Sequence, residues 1–298
     1  MSPRKNGFRG LCLRFILSGL GSWYRSWKMI EEAVPRADDL GFWGFVMPDH
    51  YMWGEPFGRV VEQPNSTLDT WVALHHLAAK TSRVKLGTLV TPIPFRPPGI
   101  LAKMVSTLDI LSSGRTILGV GAGWSQVEFE GYSEWNDAKT RVDKTEEGVR
   151  LILKLWQEKK VDFQGKYYKA NGAVLEPKPV QKPHPPLLFG GSGPQMLRLA
   201  GRCGDICFIP SSSNLPFEKA KAIVSQEARK VKREGKPAYA TGSPRFEETK
   251  FDTKLVEQDV ESAANNGCDF YFAPFPRESY AMSMELFAKD LIPSYSET

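Results

Sequence analysis

Three short stretches of this chain hold residues that could carry chemistry. Pro48-Asp49-His50 sets a carboxylate beside the one side chain whose ordinary titration lies near neutrality, a pairing suited to giving or taking a proton. Two uses stay open to His50, proton exchange and a structural hydrogen bond. His75 and His76 fall inside a helical pattern and His184 in a proline-rich connection. Gly119-Val120-Gly121-Ala122-Gly123-Trp124 would let a flat ligand or a phosphate approach the backbone closely. Its Gly-x-Gly-x-Gly spacing is not the dinucleotide fingerprint, which needs Gly-x-Gly-x-x-Gly in the first strand-to-helix turn. Gly190-Gly191-Ser192-Gly193-Pro194 opens a helix, where backbone amides, the positive end of the helix dipole and a hydroxyl together suit an anion. Arg96, in Phe95-Arg96-Pro97-Pro98, can equally brace a loop or bind an anion.

Such residues need elements to position them, and the hydrophobic pattern supplies a regular alternation. Strands are expected at Leu13–Leu17, Phe42–Met47, Val84–Val90, Thr116–Val120, Leu187–Phe189, Ile206–Ile209, Ala238–Thr241 and Asp269–Ala273. Helical patterns follow them: Trp27 to Leu40, which Pro35 should kink or shorten, and a helix capped by Thr67 or Asp69 whose Trp71, Leu74, His75 and Ala78 share a face. Then come a helix with the stripe Leu101, Met104, Val105, Leu108 and Leu111, one marked by Val149, Ile152, Leu153 and Trp156, and further helices near 194–202, 216–234, 253–266 and 280–290. Residues 48–68 and 121–139 read as long loops at the site. Residues 160–186 read as a surface excursion, with a hairpin of Val161 to Phe163 and Lys166 to Tyr168. Eight alternating units without a composition break predict a single-domain α/β fold, the (β/α)8 TIM barrel with loop insertions, rather than a doubly wound sheet. In a barrel the chemistry sits just after the strands, which is where the three stretches fall.

The composition narrows the function classes. With 298 residues, 24% charged, 41% hydrophobic and a net charge of +5, the chain is an ordinary globular protein. Its basic residues concentrate only in a tail at residues 1–10 (Arg4, Lys5, Arg9) and along Lys219 to Lys236, a solvated helix face, so no nucleic-acid partner is expected. No apolar run approaches the roughly 18 residues of a membrane span, and Arg14 breaks the stretch that could resemble a signal peptide. The expectation is a cytoplasmic protein without a membrane partner. Cys12, Cys203, Cys207 and Cys268 lack metal or disulfide spacing and read as free buried thiols, and no metal site is expected.

Together the motifs closely resemble the bacterial luciferase-like family of flavin- and deazaflavin-dependent enzymes. The resemblance is carried by Leu40-Gly41-Phe42, Pro48-Asp49-His50, Ser82 to Thr88, Phe95 to Pro98, Leu108 to Arg115, Gly119 to Trp124, Phe163 to Tyr168, Pro177 to Gln181 and Gly190 to Pro194, in family order. It implies an oxidoreductase whose cofactor ring lies at the carboxyl ends of the strands. Its cofactor-binding positions would be Ser18, Leu89, Val90, Thr91, Gly121, Ala122, Gly123, Trp124, Gly190, Gly191, Ser192 and Gly193, with His50 and Asp49 as catalytic residues. It also implies a bulge after the third strand, often with a non-prolyl cis peptide, at Leu89 to Val90. The Gly121 to Trp124 stretch and the Asp49-His50 pair look more like the branch that uses coenzyme F420 for hydride transfer to or from a small organic substrate. An FMN-dependent monooxygenase and a non-catalytic flavin-binding barrel are the alternatives. True luciferases place an arginine where this chain has Ala122, and deazaflavin sugar-phosphate dehydrogenases a glutamate where it has Trp124. Family members often carry a long insertion after the seventh strand, of which residues 242–252 are all that stand here. A more open pocket is therefore expected, closed by the 48–68 loop with Tyr51, Trp53 and Phe57. Homodimers are the family habit.

Overall fold

Eight short segments rich in apolar and β-branched residues form parallel strands, most of them buried on both faces as strands flanked by helices are. In the computed structural model, which describes residues 12–21, 27–52, 68–233, 235–242 and 251–295, they are Arg14–Ser18 (β1), Gly44–Met47 (β2), Lys85–Thr88 (β3), Thr116–Gly121 (β4), Leu187–Gly190 (β5), Ile206–Phe208 (β6), Ala238–Gly242 (β7) and Phe270–Pro274 (β8). Each pairs with the next, and β8 pairs with β1, which closes the barrel. The basic tail, residues 53–67 with Trp53 and Phe57, and residues 243–250 lie outside the described residues. Alternation along β1 separates two cores. Ile16 faces the barrel interior with Val46, Ile117, Leu188, Ile206, Ala240, Phe270 and Phe272, whereas Phe15 and Leu17 join the larger strand–helix layer. Gly119 marks the tightest strand contact, because a Cβ there would lie 1.8 Å from the Thr88 carbonyl oxygen.

The helices are Trp27–Asp39 (α1), Thr70–Ala79 (α2), Pro98–Leu111 (α3), Gln126–Tyr132 (α4), Ala138–Gln157 (α5), Pro194–Cys203 (α6), Phe217–Lys230 (α7), Thr253–Asn265 (α8), Tyr280–Asp290 (α9) and Ile292–Tyr295 (α10). Asp69 caps α2 through a 2.9 Å bond from the Val72 amide. Pro35 lies inside α1, whose Ile30, Ala33, Val34 and Ala37 bury the face on both sides of it. Four expectations need correction. Leu111 is 67% exposed, so the α3 stripe stops at Leu108. Residues 121–139 are not all loop, since α4 interrupts them. The hairpin's second strand is Lys169–Ala173; Lys166 to Tyr168 form its turn, where the Glu147 carboxylate accepts their three backbone N–H groups at 2.6 to 2.9 Å. Among the cysteines Cys207 and Cys268 are buried and Cys203 partly so, with burial pushing each thiol up to about 12, but Cys12 is exposed. No helix among the described residues is long and apolar enough to cross a membrane.

Several family-like motif residues turn out to tie the barrel wall together. Arg115 donates to the carbonyls of Ala78, Thr81, Val84 and Ser112, and the Asp109 carboxylate holds the backbone and side-chain amides of Gln181. The Asp38 carboxylate accepts backbone N–H bonds from Ser82, Arg83 and Val84, pinning the start of β3 to the end of α1. Burial works against the charge of Asp38, but these bonds hold its carboxyl below the ordinary aspartate range. A depressed folded-state pKa contributes stability that is present above the unfolded value and lost as pH falls through the folded one. Asp38→Ala should therefore lower the unfolding free energy by about 1–3 kcal/mol at neutral pH in a urea titration, with a smaller loss in acid; an equal loss at both pH values would show that ionisation is immaterial.

Candidate active site

Strand β2 delivers Asp49 and His50 to the carboxyl rim of the barrel, and the two side chains do different things. Asp49 is 1% exposed, and Arg96 grips it with both terminal nitrogens, Nη1 to Oδ2 at 2.6 Å and Nη2 to Oδ1 at 2.9 Å. The Thr91 hydroxyl donates to Oδ2 at 2.8 Å, and the Trp71 indole N–H donates in turn to Thr91 at 3.1 Å. Arg96 also reaches Asp69 at 3.2 Å and lies 4.8 Å over the Tyr51 ring. Burial opposes the arginine's charge, yet the Asp49 bonds leave its pKa above that of an ordinary arginine. Burial likewise pushes the Tyr51 phenol up to about 12. With both oxygens engaged, Asp49 bears on the rim through Arg96 and Thr91; of the two uses open to Arg96, the bracing one is what the geometry displays.

His50 turns the other way. Its Nδ1 lies 2.6 Å from Oε2 of Glu128, a fully buried residue of α4. The other oxygen, Oε1, accepts the backbone N–H groups of Tyr51 at 2.8 Å and Met52 at 3.2 Å. Nδ1 is thus the nitrogen that faces the carboxylate, and Nε2 the one that Glu128 does not touch. The Trp124 indole meets the His50 ring edge-on at 5.5 Å and is 44% exposed. Glu128 is hidden in the sequence because residues 121–139 read as loop, whereas Gln126–Tyr132 form α4. The available signal was Val127-Glu128-Phe129, an acid within a short apolar run four residues beyond Trp124.

The remaining expected positions gather on the same rim. The peptide between Leu89 and Val90 is cis, as the resemblance implied, and after this bulge Thr91 and Pro92 pair with Val120 and Gly121 of β4. Val90 packs between two glycines: a Cβ on Gly121 would sit 2.3 Å from its Cγ2, and one on Gly190 2.7 Å from its Cγ1. Gly123 has φ of 78°, with the Phe129 ring 2.5 Å from where its Cβ would be. At the end of β5, Gly191 has φ of 135° and Gly193 precedes the first turn of α6 with no side-chain cap. A Cβ on Gly193 would meet nothing within 4 Å. Ala122 packs on the core, and Ser18, buried at the end of β1, accepts the Tyr280 hydroxyl on its carbonyl at 3.1 Å.

Arg96→Met tests the ion pair. It leaves the Asp49 charge buried without its partner, and should cost about 3–5 kcal/mol in denaturant unfolding; a loss below about 1 kcal/mol, the worth of a surface pair, would mean that the carboxylate finds water or another donor.

The Luciferase-like monooxygenase family model matches residues 10–246 of this chain. An F420-dependent glucose-6-phosphate dehydrogenase of Kineococcus radiotolerans is 36% identical over 179 residues, covering 60% of this chain and 50% of that protein. The chain spans about half the length of such curated relatives. Two solved structures share the fold. An F420-dependent secondary alcohol dehydrogenase in complex with an F420–acetone adduct aligns with TM-score 0.79 and 21% identity, over 96% of this chain and 99% of that one. A monooxygenase from Streptomyces bottropensis aligns with TM-score 0.76 and 22% identity, over 95% and 100%. With the family match spanning seven of the eight barrel strands and the rim built as described, this chain belongs to the luciferase-like monooxygenase family.

Proposed function

We propose that this protein is a coenzyme F420-dependent oxidoreductase that exchanges a hydride with a small organic substrate. The observation that carries the reading is the carboxyl rim, where His50 after β2 faces Glu128, Val90 after β3 packs between Gly121 and Gly190, and α6 after β5 starts without a side-chain cap. The names of the relatives support the choice of deazaflavin. The residues fit such a cofactor: the uncapped amides at the start of α6 suit its anionic tail, and the bulge offers a wall for its planar ring. When bound, F420 supplies the hydride chemistry, while the chain supplies orientation and a proton path. In this reading His50 gives or takes the substrate proton, and Asp49 sustains the rim through Arg96. Ser18, Leu89, Val90, Thr91, Gly121, Ala122, Gly123 and Trp124 border the ring, and Gly190 to Gly193 hold the tail. Trp124, half exposed against His50, lends the substrate an apolar wall, which favours an uncharged alcohol or carbonyl compound over a sugar phosphate. Action in the cytoplasm as a homodimer belongs to the same reading, by likeness to the family.

Titrating the purified protein with F420 and with FMN, followed by absorbance and fluorescence, should give binding of F420 alone. FMN binding accompanied by oxygen consumption would instead mark a monooxygenase, and tight F420 binding with no turnover on any substrate a storage barrel. His50→Ala should lower turnover by roughly 10²–10⁴-fold with cofactor affinity unchanged; wild-type turnover in that variant removes His50 from the mechanism.

A further inference from the structure

We infer that Glu128 is the positioning residue that fixes which nitrogen of His50 exchanges the proton. This deepens the function proposed above and rests on His50 being the proton-exchanging group. The grounds are geometric. The Glu128 side chain is wholly buried and lies 2.6 Å from Nδ1, whereas the neighbouring Asp49 carboxylate is engaged by Arg96. Its Oε1 is held by the backbone N–H groups of the two residues that follow His50, so carboxylate and imidazole are fixed to one stretch of chain. An ionised oxygen at this distance compels Nδ1 to be the donor, and Nε2 then presents a lone pair.

The proton step follows from that tautomer. As a substrate alcohol is oxidised, its O–H bond breaks and the proton forms a new N–H bond at Nε2. The electron pair of the C–H bond would leave as the hydride that oxidised deazaflavin, when bound, would accept, and the carbon–oxygen double bond would form. His50 becomes an imidazolium whose Nδ1–H still faces the Glu128 charge, which stabilises it in a low-dielectric setting. Carbonyl reduction is the same sequence reversed, with Nε2–H as the proton donor.

The rival account is that Glu128 only staples α4 to residues 51 and 52, and one substitution separates the two. In Glu128→Gln the two backbone N–H groups at the Oε1 position draw the amide oxygen to themselves, which turns the amide NH2 toward His50. The staple survives, but Nδ1 must now accept, so the ring switches to the Nε2–H tautomer. Nitrogen-15 spectra of the histidines, recorded on the 298-residue protein without cofactor and with the ring neutral, should show His50 with hydrogen on Nδ1 in the wild type and on Nε2 in Glu128→Gln. Thermal stability should be preserved. Turnover of F420 with a panel of secondary alcohols and glucose 6-phosphate should fall by roughly 10²–10⁴-fold in kcat, with KM and F420 affinity unchanged, and Glu128→Asp should recover part of the loss. An unchanged tautomer in Glu128→Gln overturns the inference, as does a switched tautomer with wild-type kcat. A wild type inert toward F420, together with the tautomer switch, would refute the redox function and uphold the assignment of His50 to Glu128.

Discussion

A closed ring of parallel strands places eight chain exits on one rim, and everything at the site depends on how firmly those exits are held. Backbone that has left a strand has lost its ladder partners, and its amides must be satisfied by something else. In this protein carboxylates repeatedly do so. Asp38 gathers three consecutive amides before β3, Glu147 three in the hairpin turn, and Glu128 two just after β2. One device serves wall and rim alike, and at the rim it also meets a histidine.

Asp49 and Glu128 show how one short segment supports opposite electrostatic arrangements. Asp49 is neutralised by a two-pronged arginine, and that pair is itself braced by Thr91, Asp69 and the Tyr51 ring. Glu128 has backbone dipoles and one imidazole around it, with no arginine or lysine salt bridge among the described residues. The first arrangement joins two opposite charges with two hydrogen bonds; the second sets a carboxylate against an imidazole. Adjacent residues, Asp49 and His50, thus take partners of different chemistry.

The fold was legible because eight apolar strand segments and the helical stripes between them are long-range patterns that no single residue can spoil. Gly41 and Gly114 stop their helices with φ of 85° and 81°, and Asp69 caps α2, as their residue types suggest. The cis bond at Leu89 followed from likeness to a family, not from residue chemistry. What escaped was local and tertiary at once. Helix α4 is seven residues long, too short for a period to emerge, and Glu128 owes its importance to a partner 78 positions away. Asp49 was read with His50 because they are neighbours in sequence, whereas the strand's end sends them to different partners.

Val90 joins three strands in a further way. Its two methyl groups occupy room vacated by Gly121 on one side and Gly190 on the other. Side-chain volume at these three positions is therefore a shared quantity: a methyl gained on β4 or β5 has to be surrendered by residue 90, or it displaces the bulge. Homologues that share this rim should vary there in compensating sets, and the wall they present to a ring would be conserved in shape even where the residues composing it have exchanged places.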